Sequence, residues 1–402
     1  MKKMIKYLSL ILFISLLHSC SKSDGISDNQ TDFFIKFFGD SQNDVGYGLI
    51  QDSDEGYIIV GTTTKLTKET DVILIKTNKF GNQVWSKTFG DTLNDRGFFV
   101  QKTIDGGYII AGTTIISDNK EDVLLIKTDY LGNTIWQKSF GNKSSEEGLC
   151  VKQTYDGGYI IAGYSDEANS GNGNPAGLDD ILLIRTNQAG DSIWAKRYGG
   201  AFSETGIDVI EKDDKGFIVL GTTNSFSEPG QDGNNLILIE TNESGLLTDK
   251  FTYGGTGSDN AASIVEIDNG YLIVGTSTDV STNNTDIFCA KTGKDIHEVT
   301  WEKKFGGDKT EYCEKVVSIS NGNYLILGAT ESFGEGRTDY YLVEIDNNGN
   351  EVRSATFGGT GDEKGNSIIE SSFGGFAFVG STLTEENSMI TLIKINSDLE
   401  LK

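Results

Sequence analysis

Seven acidic side chains recur at one spacing, five residues after a glycine that itself follows an aromatic residue: Asp44, Asp95, Glu146, Glu204, Asp259, Glu311 and Glu363. With 59 acids in 402 residues, seven coincidences in seven places would arise by chance about once in a million, so the repeat itself sets the position. Carboxylates so placed can do two kinds of work. Each can accept backbone N–H groups and pin its own loop, or together, at one end of a channel, they can attract a cation and form part of a binding face. A further acidic group, Asp166, Glu167, Asp179 and Asp180, lies in the stretch Ser165 to Asp180 (SDEANSGNGNPAGLDD) and offers oxygen ligands of the kind calcium takes. It lacks the D-x-[DN]-x-[DN]-G spacing of a calcium loop. No cofactor is therefore required by the sequence, and calcium is the only one its acids suggest.

Other chemistry is excluded by what is missing. The chain has two histidines, His18 and His297, so a multi-histidine metal centre cannot be built. No nucleophile elbow is present, and His297 alone makes no credible pair with Cys150, Cys289 or Cys313. These cysteines share no repeat position and are odd in number, which argues against a disulfide framework. Carboxylate pairs remain available for glycosidase or lyase chemistry, which needs only the right separation. A formal net charge of −25 repels phosphate backbones, and no basic cluster offsets it, so nucleic acid is not an expected partner.

The elements that must position these acids follow from the aromatic-Gly pairs, at Phe38-Gly39, Phe89-Gly90, Phe140-Gly141, Tyr198-Gly199, Tyr253-Gly254, Phe305-Gly306 and Phe357-Gly358. Their glycines are 51, 51, 58, 55, 52 and 52 residues apart, a period that marks the blade of a β-propeller. Within a unit, four strands are legible: a (Gly46 to Gln51), b (Gly56 to Thr63), c (Asp71 to Asn78) and d (Gln83 to Phe89). Strands b and c carry apolar runs instead of alternation, as expected when both faces of a blade pack on neighbours. Turns such as Lys79-Phe80-Gly81-Asn82 join c to d, with glycine supplying the positive φ.

The last unit has strand a near Ser367 to Glu370, b at Gly375 to Thr382 and c at Met389 to Asn396, but no strand d. Phe33 to Phe38 is a strand d with nothing before it. Joining the two closes the ring and removes an exposed edge. The expectation is an all-β, seven-bladed propeller of four-stranded antiparallel blades over 33–402, its last blade closed by the N-terminal strand, and a monomer. The aromatic opening of strand b in each unit (Tyr57, Tyr108, Tyr159, Phe217, Tyr271, Tyr324, Phe376) reads as packing. Trp85, Trp136, Trp194 and Trp301 share one position in strand d, occupied elsewhere by Phe34, Asp249 and Arg353, and read as contacts between blades.

Ahead of the repeats, residues 1–19 form a secretory signal: Lys2, Lys3 and Lys6 precede an apolar run from Tyr7 to Leu17 that is too short to span a bilayer comfortably. Leu17-His18-Ser19-Cys20 resembles the lipobox of bacterial lipoproteins, with His18 where a small residue is usual. The resemblance implies cleavage before Cys20, diacylation of its sulfur and a membrane attachment. Residues 20–32 then make a flexible tether. Ser21, rather than an acid, implies sorting to the outer membrane. Loss of three leader lysines takes the net charge from −25 to −28, so acyl chains rather than the acidic domain would hold the membrane.

Two wider resemblances complete the reading. The segments Thr77 to Trp85 and Thr128 to Trp136 resemble the tryptophan docking motif of quinoprotein-type propellers. The pattern FGG, DGGY, GTT, LIKT and GN-xx-W over nearly all of 33–396 resembles propeller lipoproteins of Bacteroidetes-like bacteria. The units differ mainly in their b-to-c loops, which are long at Ser165 to Asp180, Asn224 to Asn235 and Glu331 to Asp339. In a four-stranded blade these loops emerge beside the d-to-a loops that carry the repeated acids. The expected function is a non-enzymatic binding or scaffolding module at the cell envelope, for a protein or a glycan, acting through that face. A carboxylate-dependent glycoside hydrolase or lyase is the alternative.

Overall fold

The computed structural model describes residues 33–39, 42–117, 120–142, 144–167, 178–226, 233–384 and 387–401. Cys20, the leader and the tether fall outside the described residues, as does most of the blade-three insertion. Among the described residues, 28 strands form seven four-stranded antiparallel sheets. In blade one, strand a is Asp44–Gln51, b is Tyr57–Thr64, c is Thr70–Thr77 and d is Gln83–Phe89. Five further blades repeat this order.

The seventh blade is built from both ends of the chain. Its strands a, b and c are Asp362–Glu370, Phe376–Leu383 and Ser388–Ile395, and its outer strand is Phe34–Phe38. That strand runs antiparallel to the last one, with Phe34 opposite Lys394 and Phe38 opposite Ile390. The ring therefore closes by main-chain hydrogen bonds, as the unmatched strands at the two ends require.

Burial explains why apolar runs occupy the middle strands. Ile58, Val60, Val72 and Leu74 of blade one pack on Val100, Tyr108, Ile110 and Leu124 of blade two, so these strands meet protein on both faces. The same occurs across the closure, where Leu49, Tyr57 and Ile59 pack on Val379, Ile390 and Leu392. Strand d lies at the rim and alternates between exposed and half-buried residues.

Strand a differs from expectation. It was read as starting at Gly46 and Ser367, whereas it begins at Asp44 in blade one and Asp362 in blade seven. The repeated acids are thus not loop residues: they open strand a, or in Glu363 stand second in it. A polar residue and nearby glycines look like a loop, but here the carboxylate is hydrogen-bonded within the fold and the strand runs through it. Each strand a also carries a bulge, as at Tyr47, where the register steps from Gly46 opposite Gly61 to Gly48 opposite Val60.

The tryptophans lock one blade to the next. A Cβ on the c-to-d turn glycine of the following blade would lie within 3 Å of the ring: Gly132 against Trp85, Gly190 against Trp136, Gly245 against Trp194 and Gly349 against Trp301. Phe34 meets Gly81 in the same way, so the ring-closing strand repeats the contact. At the other two positions polar groups replace it. Asp249 pairs with His297 at 3.0 Å, and Arg353 donates to the Ser397 carbonyl at 2.6 Å.

Candidate functional site

The b-to-c loops and the d-to-a turns do lie at one end of the ring. A residue at or just past the end of strand b donates to the residue preceding strand a in Thr64 to Asn43, Asp166 to Ser145, Asn224 to Ser203 and Glu331 to Thr310. The foot of each insertion then bonds forward to the next blade, from Glu204 N–H to the Asp179 carbonyl and from Asp259 N–H to the Asn234 carbonyl. The described ends of the three long loops therefore share this face with the repeated acids.

Those acids sit beneath the surface. Asp44, Asp95, Glu146, Glu204, Asp259, Glu311 and Glu363 are each 5% exposed or less. Asp95 at 3.2 Å, Glu204 at 2.8 Å, Asp259 at 2.6 Å, Glu311 at 2.8 Å and Glu363 at 3.4 Å reach back four residues to the N–H after the aromatic-Gly pair, and Glu146 accepts the Asn142 N–H likewise. The second oxygen of Glu146, Glu204 and Glu311 accepts the strand-b hydroxyl of Ser165, Thr223 or Thr330. Asp95, Glu146, Glu204 and Glu311 thus tie the turn to the sheet, the first of the two roles open to them in the sequence.

A second acid, at or near the start of strand c, was not singled out as a repeat. Asp71, Asp122, Asp180, Asp286 and Asp339 stand against the aromatic-Gly glycine from one side while the repeated acid approaches from the other. At Gly199, a Cβ would lie 1.7 Å from Asp180 Oδ1 and 2.8 Å from Glu204 Oε2, so no larger residue fits between them. Asp180 belongs to this buried set, and Asn235 takes its place in blade four. Burial, the largest cause, holds the carboxyls of Asp95, Asp122, Glu146, Asp286, Asp339 and Glu363 above their ordinary range.

The half-buried surface of this face is carried by other residues. Asp166 accepts Ser145 N–H at 2.6 Å and Lys120 Nζ at 3.1 Å, which fixes the start of the blade-three insertion against blade two. Glu167 pairs with Arg197. Asp179 is half-buried, and burial together with Asp166 and Glu147 pushes its carboxyl up. Among the described residues no group of three or more such side chains is arranged to hold a metal ion.

Beside them lies a carboxylate pair that sequence reading missed. One Arg96 guanidinium nitrogen donates to Glu121 at 2.6 Å and to Glu147 at 2.7 Å. Burial and the adjacent Glu147, outweighing Arg96, push Glu121 up to about 7. Charge at the second residue of strand a, absent from most units, was the available signal.

The opposite end has its own clamp. Aspartates of the a-to-b turns cap that turn's N–H groups and pair with a buried cation of strand c: Asp54 with Lys76, Asp105 with Lys127, Asp156 with Arg185. In blade four the charges swap, Lys212 meeting Glu240. The swap is visible in the repeat and would have revealed the pairing.

These opposing shifts predict a pH profile of stability. The raised carboxyls hold protons in the fold that the unfolded chain has released, so their contribution is complete below the ordinary carboxylate range. It is lost as pH rises, up to about 7 for Glu121. Asp105, Asp156 and Asp208 behave oppositely: hydrogen bonds and cations outweigh burial and hold them low, so their contribution is lost as pH falls. The melting midpoint should peak at about pH 4 to 5. Glu121→Gln should flatten the decline toward neutrality, as scanning calorimetry across pH 3 to 8 would reveal. A midpoint rising steadily to pH 8 would contradict this assignment.

The inner strands enclose a central cavity of about 450 Å³. Asp208, 4% exposed at its side chain, receives Lys315 Nζ at 3.0 Å and Cys150 Sγ at 3.2 Å, with Lys152 Nζ at 3.8 Å. Glu314 and Lys364 pair at 2.9 Å. Cys150, Cys289 and Cys313 are free and buried, and burial pushes the Cys150 thiol up to about 12, which leaves it inert as a nucleophile.

No protein-family model matches the chain. Regulatory protein FlaEY of Caulobacter vibrioides is 24% identical over 229 residues, which are 48% of this chain and 23% of that protein. The chain thus spans under a quarter of that relative's length. Among solved structures, the WD40 domain of Neurospora crassa Pan2 superposes with a TM-score of 0.50 at 9% identity, over 89% of this chain and 97% of the domain. The uncomplexed acylaminoacyl peptidase of Pyrococcus horikoshii gives 0.51 at 11% identity, over 88% of this chain and 51% of the peptidase. Puromycin hydrolase gives 0.52 at 11%, over 85% and 50%. At such identities the likeness is one of fold.

Proposed function

We propose that this chain is an outer-membrane lipoprotein, anchored through Cys20, whose propeller acts as a non-enzymatic binding or scaffolding module for an envelope protein or glycan. One observation carries the reading. Seven regular blades hold a rigid ring, and their irregular length lies in the b-to-c loops Ser165 to Asp180, Asn224 to Asn235 and Glu331 to Asp339, whose described ends share one face. Asp166 and Asp179, with the pair Glu167 and Arg197, give that face a mixed polar border suited to hydrogen-bonded ligands. The buried repeated acids brace the turns beneath it. Similar folds occur in WD40 domains and in peptidases, so the fold favours neither binding nor catalysis.

The anchor rests on the sequence alone: a basic and apolar leader, a lipobox-like end and a polar tether. The Glu121 and Glu147 pair supports a second reading as a carboxylate-dependent glycoside hydrolase or lyase, because a carboxyl pushed up to about 7 beside a second carboxyl group suits general acid catalysis. Arg96, bound to both, weighs against it by holding one oxygen of each carboxyl in an ion pair.

A pull-down from envelope extract alongside a glycan array tests both readings. Wild type should retain a ligand, and a variant with 168–177 replaced by a short Gly-Ser linker should lose it while melting normally. Release of reducing sugar, abolished by Glu121→Gln, would replace the binding reading with the catalytic one. Cys20→Ala should move the protein from the membrane to the soluble fraction, and continued retention would overturn the anchor.

A further inference from the structure

We infer that the central cavity is a binding site for a small organic monocarboxylate with an apolar body, a site independent of the insertion face. The inner strands of the blades supply a cluster that closing a ring does not require. Lys152 of blade three and Lys315 of blade six converge on the single carboxylate of Asp208 in blade four. The same two ammonium groups stand 4.5 and 5.7 Å from the centre of the Phe99 ring in blade two. Three lysines and two carboxylates line the cavity, and the Glu314–Lys364 pair neutralises itself, so one positive charge is in excess beside Asp208. This excess stands in a chain whose formal charge is −25.

The geometry points to an anion as the missing partner. Asp208 is already satisfied by Lys315, Cys150 and its own neighbour's N–H, at 3.0, 3.2 and 3.0 Å. Lys152, in contrast, lies 3.8 Å from it, beyond hydrogen-bonding distance, and its side chain is 29% exposed toward the cavity. An ammonium against an aromatic face with an incompletely used carboxylate keeps donors free for a second acceptor. The charge in excess is one, which matches a carboxylate rather than a dianionic phosphate. The remaining wall is mainly apolar, with Leu49, Phe98, Leu149, Ile207 and Ile368 beside the polar Asn366 and Ser367, and Tyr47 stands edge-on to Phe98 at 5.2 Å. A cavity of about 450 Å³ admits a body the size of a benzene ring or a short acyl chain.

Benzoate is the probe, with benzamide as its uncharged counterpart, titrated calorimetrically into the full mature chain at low and at physiological salt. Saturable binding of benzoate is expected, and benzamide should bind at least roughly tenfold more weakly. Lys152→Met should weaken benzoate by roughly tenfold or more. Asp208→Asn, which leaves two cations uncompensated, should tighten it if thermal melting shows the variant folded. Should that variant fail to fold, Lys315→Met provides the second measurement and should also weaken benzoate. Equal binding of benzoate and benzamide, no saturation with benzoate, or an unchanged affinity in Lys152→Met would each overturn the assignment. Loss of the insertion-face ligand would leave it standing, since the cavity is formed by inner strands alone.

Discussion

Removing Phe33 to Phe38 should lower the melting midpoint by about 10 °C or more and make the protein prone to aggregate. The segment supplies all of the outer strand of blade seven, so without it Ser388–Ile395 presents a bare row of backbone donors and acceptors along an apolar strand. It also removes Phe38 from the junction core and Phe34 from its contacts with Tyr57, at 6.3 Å, and with the Gly81 turn of blade one. Two neighbouring blades thereby lose their lock. Phe37→Ser is the control: its side chain is 52% exposed and should leave the midpoint where it was. Thermal melting with light scattering reads both effects, and a truncated chain that melts like the whole would contradict the closure.

Gly163→Ala should destabilise the fold by about 3 kcal/mol, a large effect for one methyl group. The glycine lies in strand b opposite the bulge of strand a, where the register steps past Leu149. A Cβ there would be 1.8 Å from the Glu147 carbonyl oxygen, a backbone atom that cannot move aside without unpairing the ladder. A Cβ at the equivalent strand-b glycines Gly61, Gly112 and Gly328 would likewise stand 1.8 to 2.1 Å from a strand-a carbonyl oxygen. Gly255→Ala, with open space around its position, should change stability by less than about 0.5 kcal/mol. Chemical denaturation of the two variants gives the comparison, and equal midpoints would show that the bulge does not impose the glycine.

Repeat period and apolar runs made the ring legible in the sequence. Strand d of blade one was read as Gln83 to Phe89 and is found there, because its turn glycine and its aromatic-Gly end punctuate it on both sides. Strand a was read too short for the converse reason. Its first two residues, Asp44 and Val45, stand ahead of the first glycine of the strand, where an acid just past a turn has a loop-like type, and only their pairing with Thr63 and Thr62 reveals them as strand. The docking of Trp85, Trp136, Trp194 and Trp301 was legible because one repeat position carried them all.

Chemistry was less visible than architecture. The repeated acids were conspicuous by spacing, yet spacing does not tell a carboxylate that faces solvent from one that caps a turn, and all seven are buried. The Asp208, Lys152 and Lys315 cluster was invisible for the opposite reason. Its members come from three blades, Asp208 and Lys315 from one repeat position and Lys152 from another, and are joined only when the ring brings the inner strands together. A self-alignment of strand a offers one clue: the position occupied by Gly48, Phe99, Cys150 and Ser263 carries charge only at Asp208 and Lys315.

Hydrogen–deuterium exchange of the mature protein, alone and with its captured envelope ligand, tests the central functional claim most directly. Protection should fall on peptides covering Ser165 to Asp180, Asn224 to Asn235 and Glu331 to Asp339, with the opposite face unchanged. Protection confined to the a-to-b turns around Asp105, Asp156 and Asp214 would place the binding surface at the other end of the ring and contradict the reading.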